Sequence, residues 1–418
     1  MNELVLEFRR AAALDTSHFP AQGRLAIGLL ERLQHGHLDI VFPDGQRAHY
    51  GNPRSEERAD LQLANWNVVG AAFKSGDIGF AESYIAGDWT TSDLAQLLSF
   101  FVHNREAAEK MFYGTMIGRV AYRLRHLLNR NTKTRAKRNV HAHYDLGNEF
   151  YKLWLDPTMT YSSAWLACDA GSVAVSAHMP LSDDDFARGQ QAKYQRVLDQ
   201  LALPPTARVL EFGCGWGGFA ETAAAAGHKV TGLTLSREQL AYAHNRLHER
   251  GIAADLRLQD YRDENGCYDG IASIEMFEAV GEAYWPSYFA ALRRCLAPGG
   301  RACVQTIVIA DELFDRYRVG TDFIQQYVFP GGMLPSPSVF KARAASAGLE
   351  VIDEHAFGRD YARTLATWSQ RFLARLADVR ALGFDDRFVR IWQFYLAYCE
   401  AAFARKNTDV VQYTLVHA

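Results

Sequence analysis

Apolar and polar positions follow two different rhythms along this chain, and the change between them divides it. In the first part, residues 23–34 predict a helix leading into Leu38-Asp39-Ile40-Val41-Phe42, whose alternation predicts a half-buried strand. Pro43-Asp44-Gly45 predicts a turn into a second strand. Lys74-Ser75-Gly76-Asp77-Ile78-Gly79 predicts another turn, followed by a helix over 80–85 and then Gly87-Asp88-Trp89. Residues 1–105 thus predict a small α+β domain. From about residue 139, apolar runs at 207–212, 228–235, 254–260, 268–274 and 300–309 alternate with helical patterns near 186–202, 217–226, 237–250 and 284–296. That rhythm predicts a doubly wound parallel sheet in a domain spanning 139–418, with Pro298-Gly299-Gly300 as the turn before the fifth strand. Two late strands, 348–358 and 410–418, flank a helical stretch from about 363 to 407. Helices inserted there predict a lid over the carboxyl edge of the sheet.

A length of 418 residues exceeds what one hydrophobic core holds, in agreement with two domains. A net charge of −3 gives no global attraction to nucleic acid, and none is expected as a partner; attraction to a membrane must be local. One segment is locally suited to it. The connector 106–138 carries Arg119, Arg123, Arg125, Arg130, Lys133, Arg135, Lys137 and Arg138, with no acid from 117 to 138. Ile117, Val120, Ala121, Leu124, Leu127 and Leu128 recur there at helical spacing. A basic amphipathic helix reads as an element for an anionic membrane surface or an acidic partner; the competing reading is the solvated face of a linker. The six cysteines show no paired metal spacing, so reduced thiols and no metal site are expected. Met1-Asn2-Glu3-Leu4-Val5-Leu6-Glu7 carries acids where a signal peptide is basic, and no apolar run spans a bilayer. The expectation is a cytoplasmic protein held peripherally at the inner membrane surface. The sequence leaves the oligomeric state open, a homodimer included.

The candidate chemistry begins where Arg208-Val209-Leu210-Glu211-Phe212 runs into Gly213-Cys214-Gly215-Trp216-Gly217-Gly218. A strand, a glycine-rich turn and a helix bring bare backbone to a nucleotide-like cofactor at the positive end of the helix. Gly213, Gly215 and Gly218 also fit the dinucleotide spacing. The following strand ends in Thr234-Leu235-Ser236, however, where a dinucleotide enzyme places an acid; Glu238 comes three residues late. S-adenosylmethionine is therefore favoured over NAD.

His143-Tyr144-Asp145-Leu146-Gly147-Asn148-Glu149-Phe150-Tyr151 and Leu155-Asp156-Pro157-Thr158-Met159-Thr160-Tyr161-Ser162 carry a more specific signal. With Gln259-Asp260-Tyr261-Arg262-Asp263, Met276-Phe277-Glu278, Tyr327-Val328-Phe329-Pro330-Gly331-Gly332 and Ile78-Gly79-Phe80-Ala81-Glu82-Ser83-Tyr84, the chain resembles the cyclopropane-fatty-acyl-phospholipid synthases over nearly its whole length. The resemblance implies a class I methyltransferase-like sheet with a smaller, sterol-carrier-like N-terminal domain. It also implies an S-adenosylmethionine-dependent enzyme acting on cis double bonds of unsaturated phospholipid acyl chains. The implied cofactor contacts are Tyr161 and Ser162 at the methionine end and Gly213, Cys214 and Gly215 by the sulfonium. Thr234, Leu235 and Gln239 would serve the ribose, and Gln259, Asp260 and Tyr261 the adenine.

An isolated alkene is a weak nucleophile, and its methylation leaves a carbocation that must be stabilised and kept from water. In the resembled family a bound bicarbonate is the base. The positions that would hold it here are Ser163, Glu278, Gln305, Ile307 and Tyr361. Ser163 stands where the family has cysteine and Gln305 where it has histidine, and glutamine cannot carry charge. The departures leave two products open, a cyclopropane ring and a methyl- or methylene-branched chain. Cys399 matches a family cysteine considered catalytic, against a reading as a buried structural thiol. Glu275 reads as an ion-pair or supporting residue. Phe323, Tyr327, Phe329, Trp368, Phe372, Phe394 and Tyr395 are candidates for an acyl tunnel, against a reading as helical core. A non-catalytic lipid-binding protein and a small-molecule methyltransferase are the competing classes. The first sits poorly with the intact glycine loop, the second with the basic helix.

Neutralising Arg119, Arg123, Arg125 and Arg130 together should weaken binding to anionic vesicles at low salt by several kcal/mol, at about 1 kcal/mol per charge. Unchanged binding in a vesicle co-sedimentation titration would return 117–138 to a solvated linker.

Overall fold

The structure is a computed structural model in which residues 14–105, 146–166 and 180–418 are described. The basic segment 117–138, His143, Tyr144, Asp145 and Cys168 lie outside the described residues. Contacts divide the chain into two units, the first joining the N-terminal residues to Arg390–Ala401 and the second holding the remainder.

In the first unit, β1 (His37–Val41) alternates as its sequence requires, with Leu38 and Ile40 buried. It pairs antiparallel with β2 (Arg47–Gly51) across the Pro43-Asp44-Gly45 turn, where Gly45 takes φ 85°. On its other side β1 runs parallel to β3 (Arg58–Leu63), and β4 (Trp89–Thr90) closes a sheet of order β2-β1-β3-β4. The turn expected at 74–79 is instead a kink inside one helix, Asn67–Ala86. Gly76 adopts φ 63° and ψ −135°, which only glycine takes without strain, and the helix resumes beyond it. The kink brings Gly79 against the Ala71 carbonyl, where an added Cβ would lie 2.0 Å from the oxygen. Residues Arg390–Ala401 dock on this helix through Arg390 Nη1 to the Tyr84 carbonyl (2.8 Å), Tyr84 hydroxyl to Gln393 (3.1 Å) and Tyr398 hydroxyl to Asp77 (3.2 Å).

The second unit is built on a seven-stranded sheet. β5 (Arg208–Phe212), β6 (Lys229–Thr234), β7 (Asp255–Leu258), β8 (Tyr268–Ile274) and β9 (Leu296–Ile309) run parallel, and β10 (Leu349–Ala356) and β11 (Thr408–His417) complete the order β10-β11-β9-β8-β5-β6-β7. The sheet is mixed rather than wholly parallel, because β11 pairs antiparallel with both β9 and β10. The cause is the helical insertion Gly358–Ala374, Leu376–Ala381 and Asp386–Ala404. It returns the chain at the carboxyl end of β9, with Thr408 opposite Ile309, so the last strand can only run back. The Pro298-Gly299-Gly300 turn is absorbed into β9 as a register shift between Tyr268 and Gly270, with Gly299 at φ 78°.

Successive strand residues point to opposite faces, and both faces are buried. Val209 packs with Val197, Phe219 and Ala272 on one side. Leu210 and Phe212 pack with Trp285, Tyr288 and Phe289 on the other. The helix Asp183–Leu201 starts at a capping box in which the Ser182 hydroxyl accepts from Asp185 N and the Asp185 carboxylate accepts from Ser182 N. Among the described residues, no helix is long and apolar enough to cross a membrane.

Gly79→Ala should destabilise the first unit by about 3 kcal/mol, because the new Cβ meets fixed backbone rather than a flexible side chain. An unchanged urea midpoint would show that the kink at Gly76 relaxes to make room.

Candidate active site

The carboxyl ends of the parallel strands bring the predicted residues together at one edge of the sheet, the edge where ligands bind in such folds. After β5 the chain turns through Gly213 (φ 79°), Gly215 (φ 50°) and Gly217 (φ 84°), and Gly213 N and Cys214 N both donate to the Leu233 carbonyl. The glycines differ in what they face. A Cβ on Gly213 would meet Met276 and one on Gly217 would meet Ala243, whereas one on Gly215 would enter open space. The tight glycines shape the turn and Gly215 leaves room above it, an arrangement that fits a cofactor lying on the loop. Cys214 is buried and its thiol is pushed well up by burial, so only its backbone is available there.

Beyond β6, Thr234 donates its hydroxyl to Gln239 Oε1 (3.2 Å), and Ser236 caps the helix Arg237–Glu249. Both Thr234 and Gln239 are buried, and Leu235 between them is half-buried. Beyond β7, Gln259 N donates to the Thr234 carbonyl (3.1 Å), tying the two strand ends. The Asp260 carboxylate is engaged by Arg262, at 2.8 Å to Nε and 2.6 Å to Nη2. Tyr261 lies between Phe212 and Tyr288. The Asp260 charge therefore serves the loop's shape, and the Tyr261 ring supplies an apolar wall.

Two glutamates follow β8. Glu275 sits at φ 47°, a left-handed conformation rare for a residue with a side chain, and its N–H donates to the Gln305 carbonyl (2.8 Å). Its Oε1 accepts from Ser163 N (3.0 Å) and Gln305 Nε2 (2.7 Å), and its Oε2 accepts from the Tyr361 hydroxyl (2.6 Å). Glu278 Oε1 accepts from Ile307 N, while its buried Oε2 has no hydrogen-bond partner among the described residues. Ser163, Gln305 and Tyr361 thus converge on Glu275, and Ile307 on Glu278. The Ser163 hydroxyl turns away to the Ala164 carbonyl (2.9 Å), so its side chain takes no part.

Burial and the Glu275 charge push the Glu278 carboxyl up to about 8. Burial also raises Glu275, but Lys193, Tyr361, Ser163 and Gln305 all favour its ionised form. Glu275 is the anion of the pair and Glu278 the proton holder. Lys193 is fully buried, donates to Ser162 Oγ and Gln190 Oε1, and is pushed down to about 7 by burial. Gln190 Nε2 in turn donates to the Ser162 carbonyl (3.0 Å), so helix Asp183–Leu201 fixes the strap that presents Tyr161, Ser162 and Ser163. Tyr161 packs with Tyr151, Trp154 and Trp368, ring centroids 5.4 to 5.5 Å apart. Trp216 of the glycine loop joins Tyr151 at 5.0 Å and donates to Asn148 (2.8 Å).

Glu275 was read from the sequence only as an ion-pair or supporting residue, and Lys193 and Gln190 were not read at all. A signal existed for the last two. Gln190 and Lys193 share the buried stripe of their helix with Phe186, Val197 and Leu201, and polar groups on a core face mark a function or a network. Cys399 falls in the first unit, half-buried on the helix Asp386–Ala404. Phe394 and Tyr395 also fall in the first unit, while Trp368 and Phe372 are buried in the second.

Comparison with known proteins gives the family and the fold. Residues 131–413 match the family described as mycolic acid cyclopropane synthetase. The chain is 33% identical to the tuberculostearic acid methyltransferase UfaA1 of Mycobacterium tuberculosis over 97% of each chain. It is 34% identical to the cyclopropane-fatty-acyl-phospholipid synthase of Escherichia coli over 85% of this chain and 87% of that one. Among solved structures, the mycolic acid cyclopropane synthase CmaA1 complexed with SAH and CTAB superposes with TM-score 0.59 at 29% identity, covering 67% of this chain and 97% of that one. The cyclopropane synthase MmaA2 from Mycobacterium tuberculosis gives TM-score 0.58 at 29% identity, with the same coverage. The second unit has the class I methyltransferase fold.

Two outcomes test the site. Gly215→Val should abolish S-adenosylhomocysteine binding in calorimetry, since the side chain fills the space above the loop and strains φ 50°; retained binding would move the cofactor elsewhere. Between the ordinary carboxyl value of 4.5 and about 8, the folded chain keeps a Glu278 proton that the unfolded chain has lost, so this group's contribution to stability falls as pH rises. Lys193, neutral in the fold above about 7, acts in the opposite sense at higher pH. Glu278→Gln should therefore be more stable relative to wild type at pH 8 than at pH 5 in urea unfolding. An equal difference at both values would mean that Glu278 titrates as an exposed carboxylate.

Proposed function

Because the chain belongs to the mycolic acid cyclopropane synthetase family of S-adenosylmethionine-dependent methyltransferases, we propose that it adds one carbon to a cis double bond of a phospholipid acyl chain. The observation that carries this reading is the buried pair Glu275 and Glu278, set beside the glycine loop and an aromatic wall. A nucleophilic oxygen or nitrogen attacks with its own lone pair and leaves no carbocation to stabilise. An alkene methylated at one carbon carries a cation at the other, which needs a fixed negative charge, aromatic faces and protection from water.

Bound S-adenosylmethionine supplies an electrophilic methyl group. The 213–218 loop holds and orients the cofactor, and Tyr161 with Trp154 and Trp368 walls the reacting end from solvent. The Glu275 charge faces the developing cation, and a base in the cluster then removes a proton. Loss from the new methyl with ring closure gives a cyclopropane. Bicarbonate, the base that the resemblance implies, meets donors already bonded to Glu275; the residues present do not fit it, and the reaction is not routed through it. The acyl chain would be drawn from an anionic membrane surface approached by 117–138.

A second product has its own support. Gln305 and Ser163 depart from the resembled pattern, and a relative alignable over 97% of both chains is named for a methyl-branched acid. A hydride shift before proton loss gives a methylene branch, and a saturated branch would need a separate reductant. Incubation with S-adenosylmethionine and dispersed unsaturated phospholipid should add one carbon per double bond, measured by mass spectrometry. Proton NMR then separates cyclopropane protons from vinylic ones. Absence of any one-carbon addition would overturn the proposed function.

A further inference from the structure

We propose that Glu275 is the resident base of this enzyme, its carboxylate occupying the place that the resemblance assigns to a bound bicarbonate, so that turnover needs no bicarbonate. The inference rests on the acyl-chain reaction proposed above. A carboxylate and a bicarbonate present the same planar pair of oxygens. Three groups assigned to the anion, at positions 163, 305 and 361, donate to that pair of oxygens on Glu275. The fit is built into the backbone: Glu275 holds φ 47°, which aims the side chain at the cluster at a cost no exposed glutamate would carry.

Lone-pair counting identifies the basic atom. A carboxylate accepts about four hydrogen bonds, two per oxygen. Oε1 takes two, from Ser163 N and Gln305 Nε2, and Oε2 takes one, from Tyr361. The remaining lone pair is on Oε2. Among the described residues, the charged and titratable groups coupled to Glu275 are Lys193 from the helix Asp183–Leu201, Tyr361 from Gly358–Ala374 and Glu278 from the turn after β8. In the step assigned to it, the sulfonium–methyl bond breaks as the alkene pair forms the new C–C bond, leaving a cation. Oε2 then takes a proton from the transferred methyl, and the C–H pair closes the ring or, after a hydride shift, forms the methylene double bond. Glu275 ends protonated and returns its proton to solvent. Ser163, Gln305 and Tyr361 are positioning residues.

The test uses the full chain with unsaturated phospholipid and S-adenosylmethionine, in buffer stripped of carbon dioxide and again with added bicarbonate. Wild type should turn over equally in both. Glu275→Gln, isosteric but unable to take a proton, should lose about 100-fold or more in kcat while still binding S-adenosylhomocysteine in calorimetry. Glu275→Gly, which suits φ 47° and opens the space, should be inactive without bicarbonate and regain activity with it. A wild-type rate that collapses on removing bicarbonate would falsify the proposal, whatever the variants do. So would Glu275→Gln at wild-type rate. Wild type that adds no carbon under either condition would instead sink the proposed function.

Discussion

One buried negative charge organises the second unit. Removing a carboxylate from water costs several kcal/mol unless donors replace its hydration. For Glu275 the donors come from the strap at Ser163, from β9 at Gln305 and from the insertion at Tyr361, with Lys193 adding charge from a helix. Each of these elements has its own reason to be near the sheet edge, but satisfying this carboxylate fixes their mutual positions within hydrogen-bond tolerance. The helical insertion is therefore registered on the sheet by the Tyr361 bond to Glu275 as well as by apolar packing.

The neighbouring groups divide the protons between them. Glu278 has one oxygen on Ile307 N and another with no partner among the described residues, so burial and the adjacent charge hold it protonated. Glu275 is raised by burial, but three donors and a nearby amine favour its ionised form. Two carboxyls of one residue type are thus set to different protonation states by their surroundings, the general route to separate acid and base roles. Burial pushes the Lys193 amine down to about 7, while Glu275 draws it toward its charged form.

Much of the fold was legible because continuous apolar runs mark the parallel strands and helical patterns mark their crossovers. Three features were not. Gly76 carries a turn signal yet only bends a helix, since propensity cannot say whether the helix resumes. The reversed β11 follows from where the insertion ends, a tertiary fact. The segment Arg390–Ala401 joins the first unit from far along the chain, and no linear pattern announces a discontinuous unit. At the site, the glycine loop was read from motif and spacing, and Glu278 was carried over from the resemblance. Glu275 was read only as an ion-pair or supporting residue, because what three distant segments donate to it is not written in its own stretch of sequence. Two residues in the buried stripe of helix Asp183–Leu201, Gln190 and Lys193, were visible as a misfit but not as a partner for Ser162.

The two departures from the resembled pattern become coherent once a side-chain carboxylate is present. At 163 the contribution is a backbone N–H, which serine supplies as well as cysteine, and the hydroxyl is turned away. At 305 the side chain must donate toward Glu275 and accept from the opposite side. Arg196 donates to Gln412 Oε1 (2.8 Å) and pairs with Asp353 (2.6 Å), which points Gln412 Nε2 at Gln305 Oε1 (3.0 Å) and leaves Gln305 Nε2 for Glu275. An amide satisfies both neighbours with one donor and one acceptor and keeps that polarity at every pH. A histidine there would titrate near neutrality beside an ionised carboxylate and would pair with it as a cation, lowering the basicity of the very group placed to take a proton. The polar chain from Asp353 to Glu275 thus fixes direction without adding a second proton acceptor, which is what a resident base requires of its support.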